Sequence, residues 1–274
     1  MTLLQFVVAA VLVSASLSLI MAGAWLVWRR TGNSGWVDTT WTFGLGTVGI
    51  ASAVAPAIAG GLTLRQGVVI VLMAAWTLRL GLHIASRTTG IVDDPRYARL
   101  VRDWGAAAPG QMFRLLQKQA LVSIPLALSV LLAAWNPVPF RVQDVAGVLV
   151  LAAGIVGEAI SDAQLARFRA RPENRNGICD IGLWGWSRHP NYFFQWLGWV
   201  AYPVLAIDVT GTYPWGWLAL AGPACMYWLL VHVSGIPPLE AHMLERRGER
   251  FRAYQARTSA FFPMPPRVGE RSKA

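Results

Sequence analysis

The chain has 274 residues, room for one domain or two small ones, and 55% of them are hydrophobic while only 14% are charged. An ordinary soluble domain carries roughly a quarter charged residues, so this balance excludes intrinsic disorder. Two cysteines exclude a disulfide-stapled module, and 26 Gly, 16 Pro and 14 Trp point toward helices in lipid. A net charge of +10, with 22 arginines among the basic residues, taken alone permits a nucleic-acid binder. The order of the chain points instead to a membrane protein with basic inner loops, and no nucleic-acid partner is expected.

Seven apolar stretches are read as membrane spans, at approximately 3–27, 41–59, 66–83, 115–135, 144–160, 191–207 and 215–233. The first is free of charge from Thr2 to Val27 and has no basic residue before it, so it reads as a retained anchor rather than a signal peptide. The second is interrupted by Pro56 and several glycines, which leaves a re-entrant hairpin as the alternative there. Lys and Arg between the spans divide 22 to one side and 2 to the other. That positive-inside asymmetry places the N-terminus outside and the C-terminus in the cytoplasm of a bacterial-type inner membrane. Long apolar runs fit helices rather than the short alternating strands of a barrel. The expected fold is an all-α, polytopic bundle of about seven transmembrane helices, one domain over 1–274 with a cytoplasmic tail at 237–274. Close helix contact explains small residues such as Gly23, Gly154, Gly157 and Gly222.

Gly44-Leu45-Gly46-Thr47-Val48-Gly49 matches the dinucleotide fingerprint in spacing alone. It lies in an apolar stretch, and no acid follows between Asp38 and Asp93, so it is set aside in favour of helix packing.

Polar residues inside or beside the spans are more informative. Arg79, His83 and Arg87 recur every four residues on one helix face. Arg79 is expected to face a polar interior, and Arg87 either that interior or the headgroups. Glu158 and Asp162, followed by Gln164, Arg167 and Arg171, suggest an ion-pair network that either joins helices or positions ribose hydroxyls. Between the third and fourth spans, Asp93 and Asp94 lack the further oxygen ligands a metal needs, and no metal is expected. Arg96 suits an anionic group there, and Tyr97 a hydroxyl donor.

The densest polar cluster runs from Asn174 to Tyr192 and includes Arg175, Asn176, Trp184, Arg188, His189 and Asn191. Pro190 fits the first turn of the sixth span, which puts Arg188 and His189 just before a helix N-terminus, a favourable seat for phosphate. Inner-leaflet headgroups compete for every one of these arginines. The interleaved Asn, His, Tyr, Trp and Ser exceed what electrostatic attraction to headgroups requires.

Gly182-Leu183-Trp184, then Ser187-Arg188-His189-Pro190-Asn191-Tyr192-Phe193, resembles the signature of the DUF1295 membrane proteins, a group within the steroid 5-alpha-reductase and sterol-reductase superfamily. Ser234-Gly235-Ile236-Pro237-Pro238-Leu239-Glu240 and Thr258-Ser259-Ala260-Phe261-Phe262-Pro263 are similar to its C-terminal ending, and the resemblance spans 36–266. It implies NADPH as cofactor and reduction of a carbon–carbon double bond conjugated to a carbonyl, in a hydrophobic substrate entering from the bilayer. The cofactor would be held by Arg79, Arg96, Asp162, Arg167, Arg171, Arg175, Asn176, Trp184, Arg188, His189, Asn191, Tyr192 and Glu240. Tyr97 would stabilise the enolate oxygen, with His83 or Glu158 assisting. The same signature is shared by isoprenylcysteine and phospholipid methyltransferases, so methyl transfer from S-adenosylmethionine and a non-catalytic lipid-binding role stay open. The resemblance leaves unassigned the acid or amide that helps the tyrosine hold the carbonyl in steroid reductases.

Overall fold

The computed structural model describes residues 1–90 and 93–267, and among the described residues every named element is a helix. Helix α1 (Leu3–Thr31) opens with a capping box: the Thr2 hydroxyl accepts the Gln5 N–H at 3.2 Å and the Gln5 carbonyl accepts the Thr2 N–H at 2.8 Å. It stops at Gly32, whose φ of 69° is left-handed and favours glycine. Helices α2 (Gly35–Val54), α3 (Ala57–Gly60) and α4 (Leu64–Thr89) follow, α4 opening on a second capping box from Thr63 and Gln66. Asp94 caps α5 (Pro95–Trp104), and a 3-10 turn leads into α6 (Ala108–Ala134). The remaining helices are α7 (Val142–Ala170), α8 (Leu183–Trp186), α9 (Pro190–Ala206), α10 (Ala221–Trp228), α11 (Ile236–Arg247) and α12 (Glu249–Arg257). A 3-10 stretch, Pro214–Leu220, precedes α10 and a π turn, Leu229–Val233, follows it.

Five helical stretches are long and apolar enough to cross a membrane: Leu3–Thr31, Leu64–Thr89, Arg96–Ala134, Val142–Ala170 and Pro214–Arg247. The protein is a polytopic membrane bundle. Each of the seven sequence segments coincides with a helical stretch, but several helices outrun them. Helix α4 continues to Thr89, α6 starts at Ala108 and α7 reaches Ala170, because helical geometry persists through Arg87, Arg114 and Arg167 after the apolar pattern ends. Helix α2 is continuous, begins before its apolar stretch and ends short of Pro56. Residues 268–274 of the expected tail lie outside the described residues.

The chain forms two compact units. The first comprises Met1–Val148 and Tyr202–Gly222. Its centre is the packing of α1, α2, α4 and α6. A Cβ on Gly46 would collide with the Thr77 side chain and one on Gly44 with Ile20, while one on Gly49 would sit 3.2 Å from the Met73 methyl. The dinucleotide-like spacing is therefore a close helix contact. At the start of α4, buried Arg65 places Nε and Nη2 each 2.8 Å from an Asp144 carboxylate oxygen. Its other N–H groups go to the carbonyls of Asn136, Val138 and Pro139. The guanidinium is buried with all five donors satisfied, as a charge in that position requires.

The second unit comprises Leu149–Ala201 and the chain from Pro223 on. Here Gly154 lets α7 approach the α9 backbone, since a Cβ there would stand 2.8 Å from the Gly198 nitrogen. The tail folds back as a strap. Ser187 and Ser259 form an isolated parallel bridge, and the Phe261 ring lies 5.4 to 5.9 Å from those of Tyr227, Trp196 and Phe193.

Candidate functional site

In the first unit the polar residues converge where α2, α5 and α6 meet. The Arg96 guanidinium donates to both Asp94 oxygens, at 3.0 and 2.9 Å, and to Asp38 Oδ2 at 2.5 Å. Burial alone would raise the Asp94 carboxyl, but the Arg96 side chain and backbone N–H outweigh it and hold the group below the usual carboxylate range. Asp93 accepts from the Ser34 backbone at 2.8 Å and from the Ser34 hydroxyl. Both acids are thus committed to structure at the entry to α5.

Tyr97, only 6% exposed, gives its hydroxyl proton to Asp38 Oδ1 at 3.0 Å and accepts the Gln119 amide N–H at 2.9 Å. A tyrosine has one proton to give. While Asp38 takes it, Gln119 presents its N–H and leaves its own carbonyl oxygen open. That oxygen is buried and has no hydrogen-bond partner among the described residues. Gln119 is braced from behind: Trp41 Nε1 donates to Ser123 Oγ at 2.7 Å, and Ser123 donates to the Gln119 backbone carbonyl at 2.6 Å. A carboxylate, a phenol and an amide with one vacant acceptor make a setting able to hold a small oxygen-bearing group.

In the second unit the expected signature residues assemble around Glu240. Arg188 Nε and Nη2 reach the two Glu240 oxygens at 2.7 and 3.1 Å. Its Nη1 donates to the carbonyls of Thr258 at 2.5 Å and Gln255 at 3.2 Å. The Gln255 amide donates to Glu240 Oε2 at 2.7 Å, and His189 Nε2 lies 2.9 Å from Oε1. Tyr192 stacks on His189 with centroids 5.5 Å apart. Arg188, expected to grip phosphate, thus spends these donors on its own chain.

Burial lowers the His189 pKa, against the opposing pull of Glu240. The native state therefore binds fewer protons than the unfolded chain just below the free histidine value of about 6.5. The stability this contributes is complete above that value and is lost as the pH falls from it toward the lower native pKa. Thermal unfolding in detergent should show a midpoint that drops between pH 7 and 5 more steeply in the wild type than in His189→Gln. Parallel declines would contradict the assignment.

The other expected residues fall as follows. Asp162 accepts from Asn191 Nδ2 at 3.2 Å. Buried Trp184 donates its indole N–H to the Ser161 carbonyl at 2.9 Å, and its own carbonyl accepts the Tyr254 hydroxyl at 2.5 Å. Arg247 fixes Asn176 Oδ1 and the Arg175 carbonyl, each at 3.1 Å. Arg167, Arg171 and Arg175 are exposed at and beyond the end of α7. Glu158 is buried on α7, and Arg79 and His83 are half-buried on α4. Among the described residues no group of three or more His, Cys, Asp or Glu could hold a metal.

Sequence reasoning left Asp38 and Gln119 off the list of site residues, and Gln255 likewise. The available signal for Gln119 was an amide within an otherwise apolar helix. The model of a family described as "Protein of unknown function (DUF1295)" matches residues 24–258. No curated protein and no solved structure matches the chain.

Proposed function

Because the chain belongs to the DUF1295 family, we propose that it is a membrane enzyme reducing a carbon–carbon double bond conjugated to a carbonyl, in a lipidic substrate drawn from the bilayer, at the expense of NADPH. The observation that carries this reading is the buried Tyr97 hydroxyl between Asp38 and Gln119. These are an acid and an amide of the kind that, with a tyrosine, hold the carbonyl in steroid reductases, to which the signature block is similar.

NADPH, when bound, supplies the hydride for the carbon β to the carbonyl. The chain's own task is then the charge that develops on the carbonyl oxygen. Tyr97 donates its hydroxyl to that oxygen, turning from Asp38, and Gln119 remains beside it. Asp38 keeps Arg96 and orients the phenol. His83, on α4 of the same unit, would assist at that oxygen.

The donor set of the second unit suits a phosphate-bearing cofactor. Exposed guanidiniums at Arg167, Arg171 and Arg175 would hold phosphates bidentately. Asp162 with Asn191, and Asn176 steadied by Arg247, offer hydroxyl and amide contacts. Arg188, His189 and Glu240 support this region as a brace, with Trp184 and Tyr192 alongside. In this reading the bundle makes seven passes of a bacterial inner membrane, α2 and α9 joining the five longer stretches, with the N-terminus outside and the C-terminus in the cytoplasm.

A binding titration on detergent-purified protein with NADPH, NADH and S-adenosylmethionine tests the cofactor. NADPH should bind at least about ten-fold more tightly than NADH if a guanidinium meets the 2′-phosphate, a gap of about 1.4 kcal/mol. Preference for S-adenosylmethionine would overturn the reductase reading in favour of methyl transfer.

A further inference from the structure

We propose that a cavity in the first unit, remote from Tyr97, binds an uncharged, largely apolar molecule through one carbonyl oxygen that accepts the side-chain amide of Gln66. The cavity measures about 310 Å³, at the small end of ligand pockets. It lies where the start of α4 meets the end of α6 and the linker 136–140. Ala134 lines it and stands about 22 Å along α6 from Gln119, so this cavity is separate from the Tyr97 setting.

The observation that calls for a ligand is the Gln66 carboxamide. The residue is only 5% exposed and lines the cavity. Its oxygen accepts the Thr63 backbone N–H at 2.9 Å, in the capping box that opens α4. Only an oxygen can accept that N–H, so the amide has one orientation and its nitrogen turns the other way. Among the described residues the nitrogen has no hydrogen-bond partner, and it is not one of the sealed polar atoms of the core. Its two donors therefore open on the cavity.

The rest of the lining decides what the acceptor is attached to. Trp135 commits its indole N–H to the Ser52 carbonyl at 2.8 Å. Asn136 spends its amide nitrogen on the Leu205 and Ala206 carbonyls and its oxygen on the Val138 N–H, each at 3.1 Å. Arg65 is paired with Asp144 through two contacts of 2.8 Å, so it offers a carboxylate or phosphate no uncompensated charge. Leu64, Trp135, Phe140 and the prolines at 56, 137 and 139 supply apolar faces. A neutral carbonyl on a hydrophobic body satisfies the amide donor in these surroundings without bringing a charge out of water.

Full-length protein in detergent would be dialysed to equilibrium against acetylnaphthalene, ethylnaphthalene and naphthoate, each substituted at the same ring position, with protein-free micelles as reference. The first two share shape and differ in the carbonyl, and the third carries a charge. The wild type should bind the ketone about five-fold more tightly than the ethyl compound, as one hydrogen bond predicts, and more tightly than the carboxylate. Gln66→Glu keeps an oxygen to close the capping box but removes the N–H donors, so the ketone preference should vanish. Tyr97→Phe should retain it. Equal binding of ketone and ethyl compound by the wild type would overturn the proposal without recourse to any variant. So would tighter binding of naphthoate, or a preference that survives in Gln66→Glu. A preference lost in Tyr97→Phe and kept in Gln66→Glu would place the ketone beside Tyr97, supporting the reductase reading while overturning this one.

Discussion

Tyr97→Phe is expected to lower the turnover of an enone substrate about 100-fold while leaving NADPH affinity within about two-fold, the pattern of a donor needed as charge develops on oxygen. The substitution preserves the ring that fills its buried position and removes only the hydroxyl shared by Asp38 and Gln119. Two neighbours refine the result. Asp38→Asn keeps a group able to accept the phenol proton but gives Arg96 a weaker partner, so a smaller loss is expected. Gln119→Leu removes the amide N–H that holds the Tyr97 oxygen together with the open carbonyl oxygen, and should raise KM more than it lowers kcat if that acceptor takes a hydroxyl of the substrate. Single-turnover reduction monitored at the nicotinamide absorbance band separates the two effects. Unchanged turnover in Tyr97→Phe would remove the phenol from the chemistry.

Glu240→Ala should be the most destabilising single change in the second unit, by about 3 to 5 kcal/mol. Its carboxylate is only 12% exposed and meets Arg188, itself 10% exposed, together with His189 and Gln255. Removing it takes away two of the four hydrogen bonds that hold the Arg188 guanidinium. Glu240→Gln retains shape and one acceptor and should recover part of the loss. Thermal midpoints in detergent, compared with a surface control such as Glu249→Ala, measure this. Glu249 is exposed and pairs with Arg252 three residues on, a contact of little worth. A Glu240→Ala midpoint equal to that of the control would show that the cluster does not brace the fold.

The helices were largely legible because long apolar runs admit little else in lipid. Their ends were not, since charged residues such as Arg167 and Arg169 continue the α7 helix without continuing its hydropathy. Pro190 signalled a helix start correctly, through its missing N–H and fixed φ. The site divides the same way. Arg96 and Tyr97 were visible as polar neighbours in sequence, and Arg188 with His189 as a block. The pairings were not: Asp38 stands 59 positions from Tyr97 and Gln119 another 22 beyond it, and Glu240, though expected at the site, is 52 from the Arg188 it holds. Residue type suggests what a side chain can do, whereas packing decides on which neighbour it is used. Arg188 illustrates this, since a guanidinium beside a helix N-terminus suggests an anion from outside, and the acceptor here is the chain's own carboxylate.

The strap formed by the tail carries a consequence for biogenesis. Ser259 accepts the Arg188 backbone N–H at 2.8 Å, Phe261 accepts the Ser187 hydroxyl at 2.8 Å, and the Met264 N–H closes on Trp186 at 2.9 Å. The stretch that includes Arg188 and His189 therefore depends on residues that lie 70 or more positions further along the chain, as the 74-position span from Ser187 to Phe261 shows. Until residues 258–264 have left the ribosome, this stretch lacks those neighbours, so the order of synthesis separates the making of the signature block from its final packing.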